Sequence, residues 1–123
     1  MSTARARRSD AGTPFAPPAP GTPVVAHLRD PRGKLWGFLM AVEGAGAWIR
    51  GIELESFEDW ARQEAAGGET GLGLSTVFIP FLRVEKLVVD EVSGGIGSLS
   101  DRFESITGVK AHTHAGLDDG GAS

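Results

Sequence analysis

The chain has 123 residues, of which 41% are hydrophobic, with no cysteine and a formal net charge of −4 at pH 7. This length supports one domain with a modest core, and the lack of cysteine excludes disulfides and thiolate metal sites. Since no apolar run approaches the ~20 residues of a membrane span, and no apolar segment follows the first arginines, we expect a cytoplasmic protein of bacterial type.

Both ends of the chain are predicted to be disordered. Residues 1–22 are rich in proline, and Phe15 is their only aromatic residue. Such a segment buries too little apolar surface to offset the entropy lost on ordering. Residues 112–123 are rich in glycine and aspartate, and we expect the same of them. The sequence therefore predicts a basic, proline-rich arm, one folded domain over residues 23–111, and a short tail.

Charge is unevenly distributed between the arm and the domain. The arm carries Arg5, Arg7 and Arg8 against one aspartate, whereas residues 23–111 hold nine Lys/Arg and thirteen Asp/Glu. A surface that binds nucleic acid needs clustered cations, which an acidic domain does not favour. The three arginines are therefore the candidates for contact with nucleic acid, although a short basic arm more often serves solubility alone.

The first half of the domain is predicted to form three strands. An apolar run at residues 24–28 is followed by a turn at residues 30–33, where Asp-Pro-Arg-Gly is a typical turn sequence. The second strand, residues 34–42, is apolar on both faces, as expected where one face meets a core and the other a helix or a second subunit. Gly37 within it predicts bending or close approach of another backbone. The third strand covers residues 47–54.

A helix of about ten residues is predicted to follow the third strand. Ser56 with Asp59 three residues later resembles a capping box at the helix start. Phe57 and Trp60 fall on one helical face, and Gly67 is a natural C-terminal stop. This helix is an insert between the third and fourth strands.

Residues 76–91 predict two short strands, 77–79 and 84–90, that meet at Pro80. Proline lacks the N–H group that a central strand needs, so it belongs at a strand end or a break. A junction this tight predicts a sharp corner of a small barrel. The fold class expected is thus mainly β, a five-stranded small barrel with a helical insert.

A short C-terminal helix is predicted over residues 98–107. Leu99, Phe103 and Ile106 recur on one face of it, its first residue is a serine suited to capping, and Gly108 ends it. Because so short a helix is unstable alone, we expect it to dock on the barrel or on a neighbouring molecule.

The spacing of glycines resembles that of Sm-like small β-barrel proteins. Gly33, Gly37 and Glu43 stand where the first motif of that family has two glycines and an acidic residue. The position of the family's RNA-contacting asparagine holds Ala47, and residues 80–82 read Pro-Phe-Leu in place of the second motif. The resemblance implies a small barrel, and RNA binding as an alternative function.

Eight large aromatic rings fall within the predicted domain, which is more than a small barrel encloses. The surplus is expected to lie under the helices or in a contact between subunits. The interaction candidates among these rings are Trp36, Phe38, Trp60 and Phe81. The function predicted is a non-catalytic interaction or assembly module whose partner is a second copy, through strand edges, or another protein.

Catalytic and cofactor chemistry is not indicated by the sequence. His27, His112 and His114 form no ligand set supported by cysteine, and the glycine-rich residues 71–76 precede a strand rather than a helix. The acidic residues between 53 and 64 are typical of a solvated helix face. We therefore expect no enzyme activity, no metal and no cofactor; a small enzyme or ligand-binding barrel is the least favoured reading.

Overall fold

A computed structural model describes residues 18–67, 73–92 and 94–114. Within these residues the chain forms five strands and two α-helices. The strands are β1 (Pro23–Leu28), β2 (Gly33–Val42), β3 (Gly46–Glu53), β4 (Ser75–Pro80) and β5 (Val84–Val89), and the helices are α1 (Phe57–Ala65) and α2 (Leu99–Thr107). Three one-turn 3₁₀ helices cover Leu54–Ser56, Phe81–Arg83 and Ala111–His114. The predicted mainly β fold, with a helical insert and a C-terminal helix, is confirmed.

The five strands form one antiparallel sheet in the order β4-β3-β2-β1-β5. Strands β1 to β4 follow one another as a meander, and β5 returns to pair with β1. Strands β4 and β5 are therefore the two edges. No ladder joins these edges in the described part of the chain, so the sheet is not closed.

The sheet is strongly curved, because its two edges meet at one short corner. Pro80 pairs with Gly46 on β3, and Val84 pairs with Leu28 on β1. The four chain steps from Pro80 to Val84 span at most ~14 Å. Gly46 and Leu28 adjoin opposite ends of β2, a ten-residue strand that would extend ~30 Å if it were straight. The predicted corner at Pro80 is confirmed, and β2 bends to accommodate it.

Two local features allow β2 to bend. A β-bulge shifts the register with β3 between Leu39 and Ala41. Gly37 lies opposite Gly51, and a Cβ atom at Gly37 would be only 2.5 Å from the carbonyl oxygen of Arg50. The predicted close approach of backbone at Gly37 is thus confirmed, since only a residue without a side chain fits between the two strands.

Apolar side chains form a separate core on each face of the sheet. The strand core is buried on one face and consists of Val24, Ala26, Leu39, Ala47, Ile49 and Ile79. The helix core lies on the other face beneath α1 and α2 and consists of Trp36, Phe38, Ile52, Phe57, Trp60, Ala61, Phe103 and Ala111. The second strand is apolar on both faces because each face meets one of these cores.

The helix caps differ between α1 and α2. The hydroxyl of Ser98 accepts a hydrogen bond from the amide of Asp101 at 3.0 Å, and Gly108 ends α2 with a φ of 80°. Both caps of α2 are as predicted. The prediction of a capping box at Ser56 is wrong, because Ser56 makes no side-chain cap hydrogen bond. It belongs to the preceding 3₁₀ turn, and its backbone is already helical rather than extended.

Parts of the predicted arm and tail are described. Gly21 donates to the carbonyl of Leu39 at 2.7 Å, and the amide of Leu39 donates to the carbonyl of Thr22 at 2.9 Å, which continues the β1–β2 pairing. Residues 112–114 of the predicted tail belong to the 3₁₀ helix Ala111–His114, which begins at the last residue of the predicted domain. The remainder of both predicted segments, residues 1–17 and 115–123, lies outside the described residues.

Neither helix of the described chain is long and apolar enough to cross a membrane.

Candidate interaction surface

The edge strand β4 is uncharged over its whole length. Its six residues read Ser-Thr-Val-Phe-Ile-Pro, and no strand of the described residues pairs with its outer side. Val77 in the middle of the strand is 36% exposed. Edge strands of monomeric proteins usually carry charges, which prevent pairing with another chain. An uncharged edge with an exposed β-branched residue is therefore a candidate contact surface.

An aromatic pair lies beside this edge. Trp48 on β3 is directly opposite Phe78 on β4, with ring centroids 5.3 Å apart. The indole N–H of Trp48 donates to a carboxylate oxygen of Glu43 at 2.9 Å, which fixes the ring. Trp48 is 37% exposed, and neither ring belongs to the two cores. A fixed and partly exposed aromatic pair is typical of protein contacts.

The corner after β4 presents two further apolar side chains. Phe81 is 41% exposed and Leu82 is 84% exposed. The backbone that carries them is held at both sides: the amide of Phe81 donates to Ala45, and the side chain of Arg29 donates to the carbonyl of Leu82 at 3.1 Å. The side chain of Arg83 in turn donates to carbonyl oxygens of the β1–β2 turn. Leu82 is thus exposed on a well-anchored turn.

The opposite edge, β5, is also partly apolar. Leu87 and Val88 are both exposed, and Glu85 and Lys86 give the strand one charge of each sign. This edge therefore combines apolar contact area with the charged residues that β4 lacks. We use the name edge surface for Trp48, Val77, Phe78, Phe81, Leu82, Leu87 and Val88.

The interaction candidates taken from the sequence occupy different environments. Trp36, Phe38 and Trp60 are almost completely buried in the helix core, where the ring of Trp60 stacks on Phe103 with centroids 4.6 Å apart. In this conformation they are not available to a partner. Five of the eight aromatic rings of the predicted domain thus lie in the helix core, whereas Trp48, Phe78 and Phe81 lie outside both cores. Phe81 is the one candidate of the four that is exposed.

Other residues of the edge surface were not selected from the sequence. Trp48 and Phe78 fall within the predicted strands 47–54 and 77–79, but their pairing depends on the register of β3 and β4, which the sequence does not provide. The uncharged composition of β4 is visible in the sequence and marks the edge once the strand order is known. The nucleic-acid candidates Arg5, Arg7 and Arg8 lie outside the described residues.

Ionisable groups in the described residues have mainly structural partners. Glu58 on α1 accepts two hydrogen bonds from Arg102 on α2, at 2.7 and 3.0 Å, and these bonds, with the charges of Arg102 and Arg62, lower the pKa of Glu58. Partial burial, followed by the charges of Lys86 and Lys34, lowers the pKa of His27. His112 is exposed. The described chain contains no group of three or more His, Asp or Glu arranged to hold a metal ion.

Comparison with known proteins gives no relative. No protein-family model matches the chain, and no curated protein or solved structure matches it. The edge surface is thus the basis on which a function is proposed.

Proposed function

We propose that this protein is a non-catalytic, small-barrel assembly module that self-associates through its edge strands. The single observation that carries the proposal is the uncharged edge of β4, bordered by the exposed side chains of Trp48 and Leu82. A second strand added to this edge would satisfy the unpaired backbone groups and cover Val77.

Two features support the description as a small barrel. The corner formed by Phe81–Arg83 brings the two edges of the sheet close together at one end. In addition, the buried residues of the strand core come from β1 to β4, and Val84 of β5 packs against this cluster. A sheet that wraps around one shared core is the arrangement of an open barrel, and the remaining gap between β4 and β5 is where another chain can pair.

A second copy of the chain is the partner that this surface fits best. β4 supplies an uncharged edge and β5 supplies an apolar edge with one positive and one negative residue, so that the two edges do not repel each other. Pairing β4 with β5 of the next copy would give a ring, whereas pairing β4 with β4 would give a dimer with two-fold symmetry. Apolar burial drives both arrangements and is not screened by salt as ion pairs are.

The test is sedimentation of the purified full chain, freed of nucleic acid, at micromolar concentration and at two salt concentrations. We expect a dimer or larger ring that persists at moderate salt. Val77→Lys places a charge on the uncharged edge and should shift the protein toward monomer, while Ala65→Lys, at an exposed position near the end of α1, should not. Thermal unfolding of both variants verifies that they remain folded.

RNA binding, as in Sm-like proteins, is the alternative function. It predicts a gel shift with RNA that weakens steeply with salt and is lost when Arg5, Arg7 and Arg8 are replaced. A wild-type chain that stays monomeric and binds RNA through these three arginines would overturn the assembly proposal in favour of this alternative.

A further inference from the structure

Three basic residues form a row across three strands on the helix-covered face of the sheet. His27 on β1 pairs with Lys34 on β2 and with Lys86 on β5. Residues directly opposite one another in antiparallel strands have Cβ atoms about 4.5–5.5 Å apart. The side chains of the row therefore lie together on one face, with His27 between the two lysines.

Neither lysine of the row has a counter-ion in the described chain. The ion pairs there link Glu58 with Arg62 and Arg102, and Glu104 with Lys110. No carboxylate of the described residues comes within 4.0 Å of the ammonium groups of Lys34 or Lys86, although the protein as a whole is acidic. Lys34 and Lys86 lie two strands apart, on either side of β1. An anion bound over His27 would pair with both ammonium groups.

The row borders a concave part of the surface. A cavity of about 490 Å³ is lined by His27, Leu28, Arg32, Gly33, Lys34, Leu54, Glu55 and Glu85. Arg32 adds a third permanent positive charge beside the row, and Glu55 and Glu85 contribute the carboxylates of the lining. Lys86 follows Glu85 on β5 and pairs with His27, and both of these residues line the cavity. The volume is ample for a phosphate group with its hydration water.

His27 is suited to respond to an anion bound here. It is half-buried, and burial together with the positive charges of Lys86 and Lys34 lowers its pKa, while Glu85 opposes this effect. The charged groups around the imidazole are thus Lys34 from β2, Lys86 and Glu85 from β5, and Arg32 and Glu55 across the cavity. A bound phosphate would favour the protonated imidazole, which donates two hydrogen bonds.

We propose that Lys34, His27 and Lys86 form a phosphate-binding site, which takes free phosphate or the phosphate of a phosphomonoester. The two lysines supply positive charge and hydrogen-bond donors on either side of the phosphate, and the imidazole of His27, which lies between them, donates a hydrogen bond to it. This site lies on the sheet face rather than on an edge strand's outer side, and it does not depend on self-association.

The test follows the imidazole signals of His27 and His112 by NMR in the full chain while inorganic phosphate replaces chloride at constant ionic strength. His112 is exposed and lines a different cavity, and it serves as an internal control; His27→Gln and His112→Gln identify the two signals among those of the three histidines. We expect a saturable shift of the His27 signal, a rise in the His27 pKa, and only a small, linear change for His112. Adenosine 5′-monophosphate and adenosine, titrated in the same way, distinguish a phosphomonoester from free phosphate.

Lys34→Gln and Lys86→Gln should each weaken phosphate binding roughly tenfold, the loss expected for one charged hydrogen bond. Lys110→Gln is the matched control, because the ammonium group of Lys110 already pairs with Glu104, and this variant should bind phosphate as the wild type does.

Tighter binding of the nucleotide than of phosphate, with no binding of adenosine, assigns the site to phosphomonoesters; equal binding assigns it to free phosphate. Equal shifts of His27 and His112, or unchanged binding in both row variants, would overturn the proposal.

Discussion

The indole Nε1 of Trp36 donates a hydrogen bond to the carboxylate of Asp90 at 3.0 Å. The same carboxylate accepts from the amides of Leu99 and Ser100 at the start of α2, at 2.7 and 2.9 Å, and from the hydroxyl of Ser100 at 2.9 Å. Asp90 thus joins the central ring of the helix core to the N-terminus of the helix that covers it. A negative charge at this position also complements the helix dipole.

Replacing Asp90 should destabilise the fold at this junction. Asp90→Ala would leave the buried indole N–H of Trp36 and two helix amides without their acceptor, at an expected cost of about 2–4 kcal/mol in the free energy of unfolding. Urea unfolding followed by tryptophan fluorescence measures the change. Glu91→Gln, at the exposed neighbouring position, should alter stability by less than about 0.5 kcal/mol. Equal stability of the two variants would show that Asp90 is not a structural link.

The close approach of β2 and β3 makes Gly51 intolerant of any side chain. A Cβ atom there would collide with the carbonyl group of Trp36 and with Gly37, both of which are backbone and cannot rotate away. We expect Gly51→Ala to lower the free energy of unfolding by roughly 2–3 kcal/mol through strand displacement. Gly44→Ala is the matched control, because a Cβ atom at that turn position has no neighbour within 4 Å. Urea unfolding of both variants gives the comparison.

The ion pair between Glu58 and Arg102 should make stability depend on acid pH. Its hydrogen bonds lower the pKa of Glu58 in the folded state below the value of 4.5 that applies when the chain is unfolded. The pair therefore stabilises the fold fully above pH ~4.5, and this contribution is lost as the pH falls through the folded-state pKa. Urea unfolding at pH 6 and pH 3 should show a smaller loss of stability in Arg102→Gln than in the wild type. An identical loss in both would mean that the pair contributes nothing to the pH dependence.

Local signals predicted most of the elements but not how they come together. The signals that end strands and begin helices involve only a few neighbouring residues, so the sequence suffices to predict them. Examples are Pro80, the turn before Gly33 and the cap at Ser98. Ser56 was an exception because a 3₁₀ turn occupies the position that its cap needs. The apolar pattern of the second strand is compatible with two environments for Trp36 and Phe38. They could lie beneath the helices or in a contact between subunits. Only the packing of α1 and α2 decides between these environments.

The residues of the edge surface can be identified as contact candidates only when the strand order of the sheet is known. Val77 and Trp48 look like ordinary strand residues until the order β4-β3-β2-β1-β5 makes β4 an edge. The row of Lys34, His27 and Lys86 likewise depends on the register of three strands that are distant in sequence. Both candidate sites therefore follow from strand pairing, which no local pattern of residues specifies.

Hydrogen exchange should locate the contact between copies on the edge strands. In a monomer, the outward-facing amides of β4 and β5 have no strand partner among the described residues, so we expect them to exchange with solvent faster than those of the central strand β2. If copies pair through these edges, protection of amides in Ser75–Pro80, in Val84–Val89 or in both should rise between a dilute and a concentrated sample. The amides of β2, which are bonded on both sides, provide the internal control. Protection that rises only on α1 or α2, in a sample that sediments as an oligomer, would place the contact on the helices and contradict assembly through strand edges.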